Sequence, residues 1–162
     1  MTDEQVRDGF RQAMRRLATT VALVTTGRGE QWAGMAATAV VSVCAEPPTL
    51  LVAINRGAGL YPLLHAENRF CVNLLSDRHR DLVGVFSGQK KGYARFETGN
   101  WIAGPDGLPL LTDALASLSC QTEQTVDVGT HNLFIGRVDE VINHDEIDPL
   151  VWVDGGFATA AR

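Results

Sequence analysis

Cysteine is scarce in this 162-residue chain: Cys44, Cys71 and Cys120 are an odd number and lie far apart. That spacing argues against a disulfide framework or a paired-cysteine metal knuckle. All three sit in apolar, strand-like runs, where the expectation is a buried, reduced thiol. The four histidines, His65, His79, His131 and His144, show no paired ligand spacing, so a zinc or iron site is not expected. Basic residues are outnumbered, 14 Lys and Arg against 19 Asp and Glu, and form no long tract. The footprint of a nucleic-acid binder is therefore missing. No apolar run approaches the roughly 18 residues that span a bilayer. The start, Met-Thr-Asp-Glu-Gln, is unlike a secretory signal, and the expectation is a soluble, cytoplasmic protein with no membrane partner. Missing too are a Gly-x-Ser-x-Gly elbow, a Cys-x-x-Cys pair, a Walker loop and the Rossmann glycine fingerprint. A nicotinamide cofactor would have to bind without those devices.

What is present reads as one globular domain over residues 1–162. Hydrophobic residues make up 45% and charged residues 20%, close to the globular average, which excludes disorder. Thr2 and Gln5 have capping-box spacing ahead of an apolar stripe at Val6, Phe10, Ala13, Met14 and Leu17, which predicts a helix over 2–16. A strand over 19–26, a turn at 27–30 and a return over 31–43 read as a hairpin. Pro47-Pro48 is expected to interrupt pairing before a strand over 50–54. A short helix over 60–66 and a strand over 69–75 follow. Ser76-Asp77 then caps a helix whose Leu82, Val83 and Phe86 share a face. Residues 99–111 read as irregular around a turn at 104–107. Two long strands, 115–126 and 132–142, and a last short one, 150–153, complete the chain. Strands without regular βαβ alternation predict a mainly β protein, an antiparallel barrel with peripheral helices.

Three stretches carry candidate chemistry, and each leaves two readings open. From Gly34 to Leu60 the chain runs through small residues, Ala36 to Ala39, and ends in the polar turn Asn55-Arg56-Gly57-Ala58-Gly59. Small side chains let a flat ligand approach closely, and such a turn can offer N–H groups to an anion. The same residues also read as two core strands and a surface loop. Ser87-Gly88-Gln89-Lys90-Lys91 can hold a phosphate or stand as a solvated loop. His131, in Gly129-Thr-His-Asn, can donate to a nicotinamide or flavin carbonyl or be an ordinary turn histidine. Trp101, Trp152 and Phe157 read as core or interface aromatics.

Taken in order, these pieces resemble the short-chain NAD(P)H:flavin oxidoreductases, the reductase components of two-component flavin monooxygenases. The resemblance rests on Phe10-Arg-Gln-Ala-Met, Ala18 to Thr26, Gly34 to Ala39, Ser42-Val43 and Pro47-Pro48. It continues through Phe70-Cys-Val-Asn-Leu-Leu-Ser, Arg95-Phe96, Gly107-Leu-Pro-Leu-Leu, Leu118-Ser-Cys, Gly129 to Val138 and Asp148-Pro-Leu. It implies a split antiparallel β-barrel that binds FMN or FAD, acts with NADH or NADPH, and forms a homodimer. It also implies a separate monooxygenase component that receives the reduced flavin.

Carried over by matching segments, the resemblance implies flavin contacts from Ala36, Ala37, Thr38, Ala39, Val40, Ser42 and Val43. Ala53, Ile54, Asn55, Gly59 and Leu60 would extend the groove. Val85, Phe86, Ser87, Gly88, Gln89 and Lys90 would complete the phosphate side. His131 would face the nicotinamide, with Asp154, Gly155, Gly156 and Phe157 near the same pocket. The family often has Thr where this chain has Ala36, and Asp where it has Thr130. The implied reaction is hydride transfer from nicotinamide C4 to flavin N5, for which the cofactors carry the electronic chemistry. That explains why no acid, base or nucleophile stands out. No basic cluster specifies a 2′-phosphate, which favours NADH. A flavoprotein that keeps its flavin, and a flavin- or haem-binding carrier on the same barrel, are the competing readings.

Overall fold

The computed structural model describes all residues, Met1 to Arg162. Helix α1, Asp3–Met14, starts at the expected capping box: Gln5 N–H donates to Thr2 Oγ1 and Thr2 N–H to Gln5 Oε1. Its apolar stripe is not covered, and no residue of α1 is buried. The helix is tied down at its end, where Asp154 N–H donates to the Arg15 carbonyl and the Arg15 guanidinium pairs with the Asp154 carboxylate at 3.0 Å.

Twelve strands and two further short helices follow. In order they are β1 Thr19–Thr20, β2 Ala22–Thr26, β3 Ala33–Ala37, β4 Val40–Ala45, β5 Pro48–Asn55, α2 Tyr61–Glu67, β6 Arg69–Leu74 and α3 Arg80–Gly84. Then come β7 Trp101–Ala103, β8 Pro109–Leu111, β9 Ala116–Val128, β10 His131–Asn143, β11 Leu150–Val153 and β12 Gly156–Thr159. Seven strands form one antiparallel sheet in the order β3-β2-β6-β9-β10-β5-β4. Its outer strands, β3 and β4, are joined by Thr38-Ala39 alone. From Ala37 to Val40 the chain spans at most about 11 Å. The sheet must therefore curl until its edges nearly meet, and the barrel is split along the β3–β4 seam.

The barrel interior is filled by side chains such as Val24, Val52, Ile54, Phe70, Val72 and Phe134. A second core, with Leu23, Leu82, Phe86, Phe96, Leu111 and Leu150, lies under the outer elements. Strand β2 sits between them and is buried on both faces. Buried Asn73 ties this layer together. Its amide donates to the Leu23 carbonyl and Thr25 Oγ1, and its Oδ1 accepts from Leu111 N–H and Ser117 Oγ.

The structure departs from the sequence expectations in several places. The expected return strand over 31–43 breaks at Thr38-Ala39 into β3 and β4, because the two halves serve opposite edges of the sheet. Pro47-Pro48 does not interrupt pairing but turns a hairpin: Ala45 faces Pro48 in the β4–β5 ladder. Pro48 is the first residue of β5, a position where a strand tolerates a proline without an N–H. Residues 99–111 hold a small β7–β8 hairpin around the expected turn. Beyond the expected last strand, β12 pairs with β11, which also pairs with β1. Cys71 and Cys120 are fully buried, and burial pushes both thiols up to about 12. Cys44, on outer strand β4, is exposed instead. No helix is long and apolar enough to cross a membrane.

Candidate functional site

A cavity of about 790 Å³ opens beside the end of β3. Its floor is Ala36, Ala37 and Thr38; one wall is the segment from Arg80 to Gln89; the other is Trp152 and Phe157. The wall exists because α3 runs into a wider turn over Val85–Gln89, in which Gly88 holds φ 130°, a left-handed value that favours glycine. Phe86 and Leu82 anchor that segment in the outer core, so its polar residues face out. Across the cavity, Trp152 and Phe157 meet edge to face at 5.2 Å, and the Arg80 guanidinium lies 5.3 Å over the Phe157 ring.

The β3 edge is the chemically informative part. The Val21 carbonyl accepts from Leu75 N–H while its N–H donates to the Leu150 carbonyl, and by the strand's alternation Leu23 and Thr25 direct their backbone groups toward β6. Ala22 and Val24 therefore bond β3 through Ala37 and Met35. By the two-residue alternation of an antiparallel ladder, Gly34 and Ala36 present their N–H and C=O groups outward, away from β2. The Gly34 carbonyl indeed accepts from Arg95 at 2.6 Å. The Ala36 groups point off the edge, where the cavity begins. Gly84 adds to the room: a β-carbon there would lie 2.4 Å from Gln89 Nε2, so the Gln89 amide rests directly on it.

Of the residues singled out in the sequence, the cavity brings together Ala36, Ala37, Thr38, Val85, Ser87, Gln89 and Phe157. Ala39, Val40, Asp154 and Gly155 line an adjoining groove under α1, which shares Thr38 and Trp152 with the cavity. Ser42 lines a separate groove along β4, and Val43 is exposed on that outer strand. The Ile54 and Phe86 side chains are fully buried in the two cores and face no cavity, which leaves only their backbone for a flavin contact. Ala53 is half-buried opposite Leu133, and Asn55 is exposed with its Oδ1 accepting from Gly57 N–H. Gly59 and Leu60 line a second, smaller cavity. Gly88 is exposed, Gly156 opens β12, and Lys90 is engaged by Thr98 Oγ1 at 3.0 Å.

His131 does not line the large cavity. It begins β10 opposite Asn55, and its carbonyl accepts from Arg56. Thr130 Oγ1 lies 2.8 Å from its Nδ1, so a hydroxyl orients the ring where the resemblance supplies a carboxylate. Sequence reasoning passed over Val21, Arg80, Asp81, Val83, Gly84, Thr98 and Trp152, which also line the cavity. Four of them lie on α3 and the others in three separate segments, with no shared motif. Only the aromatic character of Trp152 marked any of them.

Residues 14–161 match the family described as flavin reductase like domain. The chain belongs to this family. A relative from Cronobacter turicensis, named FMN reductase (NADH) RutF, is 40% identical over 162 residues, all of this chain and 96% of its own. The flavin reductase-like fold recurs in a crystal structure described as a putative flavin reductase from Haemophilus somnus. It is 32% identical, with a TM-score of 0.90, over 94% of this chain and 98% of that one. BorF, described as the flavin reductase component of a bacterial two-component tryptophan halogenase, is 28% identical with a TM-score of 0.86. That match covers 94% of this chain and 97% of BorF.

The site of this flavin reductase-like domain fits a flavin on its own chemistry. Small side chains at Ala36, Ala37 and Gly84 leave space for a flat ring. The outward Ala36 N–H and C=O offer the donor and acceptor that a pyrimidine edge requires. The aromatic wall of Trp152 and Phe157 gives a second flat ring an apolar surface.

Proposed function

We propose that this domain is an NADH-dependent flavin reductase that supplies reduced FMN or FAD to a separate oxygenating or halogenating partner. The observation that carries the reading is the free backbone edge of β3 opening into a cavity walled by Trp152 and Phe157. The name of the Cronobacter relative, FMN reductase (NADH), favours FMN and NADH as the pair, and the BorF description supports a separate partner. A bound flavin supplies the two-electron acceptor at N5, and the nicotinamide supplies the hydride from C4. The protein would hold the two rings in contact, since hydride transfer requires the reacting atoms about 3–3.5 Å apart. The Ala36 N–H offers a fixed dipole to negative charge on the ring edge. Trp152 and Phe157 exclude water from the stack. No side chain has to give or take a proton at the reacting carbon, in keeping with a cavity whose ionisable lining is limited to Arg80 and Asp81.

His131 lies outside the lining of the large cavity, and its proposed role is to reach the nicotinamide carboxamide from beyond that lining through the ring nitrogen that Thr130 leaves free. The expected result for His131→Ala is a hydride-transfer rate that falls more than flavin affinity. Unchanged single-turnover reduction would take His131 out of the mechanism. The proposal extends to a cytoplasmic homodimer. Val6, Phe10 and Met14 on α1 and Leu17 just beyond it are exposed, as are Val41 and Val43 on outer strand β4. An apolar surface of that kind is what an isologous interface covers.

The deciding experiment follows NADH oxidation by the purified protein with and without added FMN, FAD or riboflavin. Turnover that rises and saturates with added flavin supports a reductase with diffusible flavin. Turnover without added flavin points to a retained flavin. Flavin binding with no turnover of either nicotinamide would sink the reductase and leave a carrier.

A further inference from the structure

His131 stands at the tip of a hairpin, and a tip is the least restrained part of a sheet. Strands β9 and β10 are joined by Gly129-Thr130 alone, and Gly129 takes φ 54° there. The carbonyls of such a loop bond either water or another part of the chain. Here the donor is a single residue from the end of β5. Arg56 N–H donates to the Thr130 carbonyl at 3.0 Å. The Arg56 guanidinium donates to the carbonyls of Gly129 and His131, the latter at 2.9 Å. Three consecutive carbonyls therefore accept from Arg56. Its charge also lies 3.5 Å from the Asp127 carboxylate. Asp127 is 78% exposed, so that pair contributes little and the carbonyl bonds set the geometry.

The sequence put Arg56 in a polar turn able to offer N–H groups to an anion, but its own N–H is taken by Thr130. Arg56 lines neither the large cavity nor the smaller one, and its side chain is turned onto the hairpin. Bridging two carbonyls needs the planar, forked donor set of a guanidinium, which a lysine lacks. The next link is local. Thr130 Oγ1 lies 2.8 Å from His131 Nδ1, so the plane of the Thr130 peptide decides where that hydroxyl sits and how the imidazole is turned. His131 is half-buried and lies outside the lining of the large cavity. A ring that has to reach across such a gap is sensitive to the pose of the turn beneath it, since a misplacement of about 1 Å costs up to about a hundredfold in rate.

We propose that Arg56 is a positioning residue for hydride transfer: by gripping the carbonyls of Gly129, Thr130 and His131 it holds the Thr130 hydroxyl, and through it the His131 ring, in the pose that meets the nicotinamide. The inference rests on the flavin-reductase reading and on the role proposed there for His131, and adds the residue that sets that role. The test is anaerobic single-turnover reduction of FMN by NADH on the protein, beside FMN affinity from fluorescence quenching and a urea melt. Arg56→Met is expected to slow hydride transfer about tenfold and to keep FMN affinity within about twofold. Arg56→Lys, which keeps the charge and loses the fork, should fall between wild type and Arg56→Met. Thr130→Val, at an exposed position, should also slow the step. The double variant Arg56→Met/His131→Ala is expected to be no slower than His131→Ala, because positioning has no effect once the ring is gone. A full rate in Arg56→Met or in Thr130→Val would overturn the inference. So would a double variant slower than His131→Ala by the same factor, or a loss of FMN affinity that matches the loss of rate. Each of those leaves the reductase intact. If Arg56→Met does not fold, Arg56→Lys takes its place in the same comparison. A full rate in His131→Ala would remove the role of His131 and this inference together, with the reductase still standing. No reduction of bound FMN by the wild type would overturn the functional reading itself.

Discussion

A β-carbon at Gly84 would fall 2.4 Å from Nε2 and 2.7 Å from Cδ of Gln89. The backbone of Gly84 is helical, with φ −62°, so alanine itself is accommodated. What must move is the end of the Gln89 side chain, and it borders the cavity. Gly84→Ala should therefore keep stability within about 1 kcal/mol of wild type. Flavin affinity should fall several-fold, and a titration by fluorescence quenching beside a urea melt separates the two effects. Unaltered affinity would mean that the cavity wall at Gly84 is not used. At this scale the sequence was partly legible. Ala36 to Thr38 stood out by their size, whereas Gly84 and Arg80 had no local signal. Arg56 could be read as part of a polar turn, but its grip on the β9–β10 hairpin depends on which carbonyls the fold brings near.

Among the elements, β2 and α1 show how burial follows partners more than pattern. β2 is covered on both faces because the second core lies over it, an outcome its β-branched run allowed but did not specify. Asn73 on β6 makes four hydrogen bonds, three to β2 and β9 within the barrel and one, from the Leu111 N–H, that ties in β8. Asn73→Leu removes them all and strands the Leu111 N–H, so a loss of about 3 kcal/mol is expected in denaturant unfolding. A loss under about 1 kcal/mol would show that water takes over those bonds. For α1, cap and stripe were both readable, and the helix is where they put it. The stripe has no cover within the chain: Phe10 is 61% exposed. Phe10→Glu is expected to leave the monomer's fold intact, by circular dichroism, and to shift a dimer to monomer in sedimentation. A monomeric wild type at micromolar concentration would remove the dimer.

For the whole molecule, Arg69 is the main electrostatic stitch. From β6 it reaches Asp106 in the β7–β8 turn and Asp139 on β10, both at 2.8 Å. Hydrogen bonding to Arg69 holds the Asp139 carboxyl below its usual range. A depressed carboxylate contributes stability above its unfolded pKa of about 3.9, and loses it as pH falls through the lower folded value. Wild-type stability should therefore drop on the acid side of about pH 4. In Asp139→Asn that part of the acid limb should be flatter, and the difference small because Asp139 is 43% exposed. Identical acid limbs in thermal melts from pH 3 to 7 would refute the assignment. The sequence by itself determined the kind and approximate span of most elements, the capped first helix and the family. Those properties follow from local periodicity and from residues near one another along the chain. The tertiary structure alone decided that one apparent strand divides at Thr38-Ala39 to form both lips of the seam. It also decided that Arg80, Gly84 and Trp152 share a cavity, and that Arg56 grips the hairpin that carries His131. Periodicity records which face of an element is apolar; only curling the sheet until its edges meet decides what that face, or that edge, is set against.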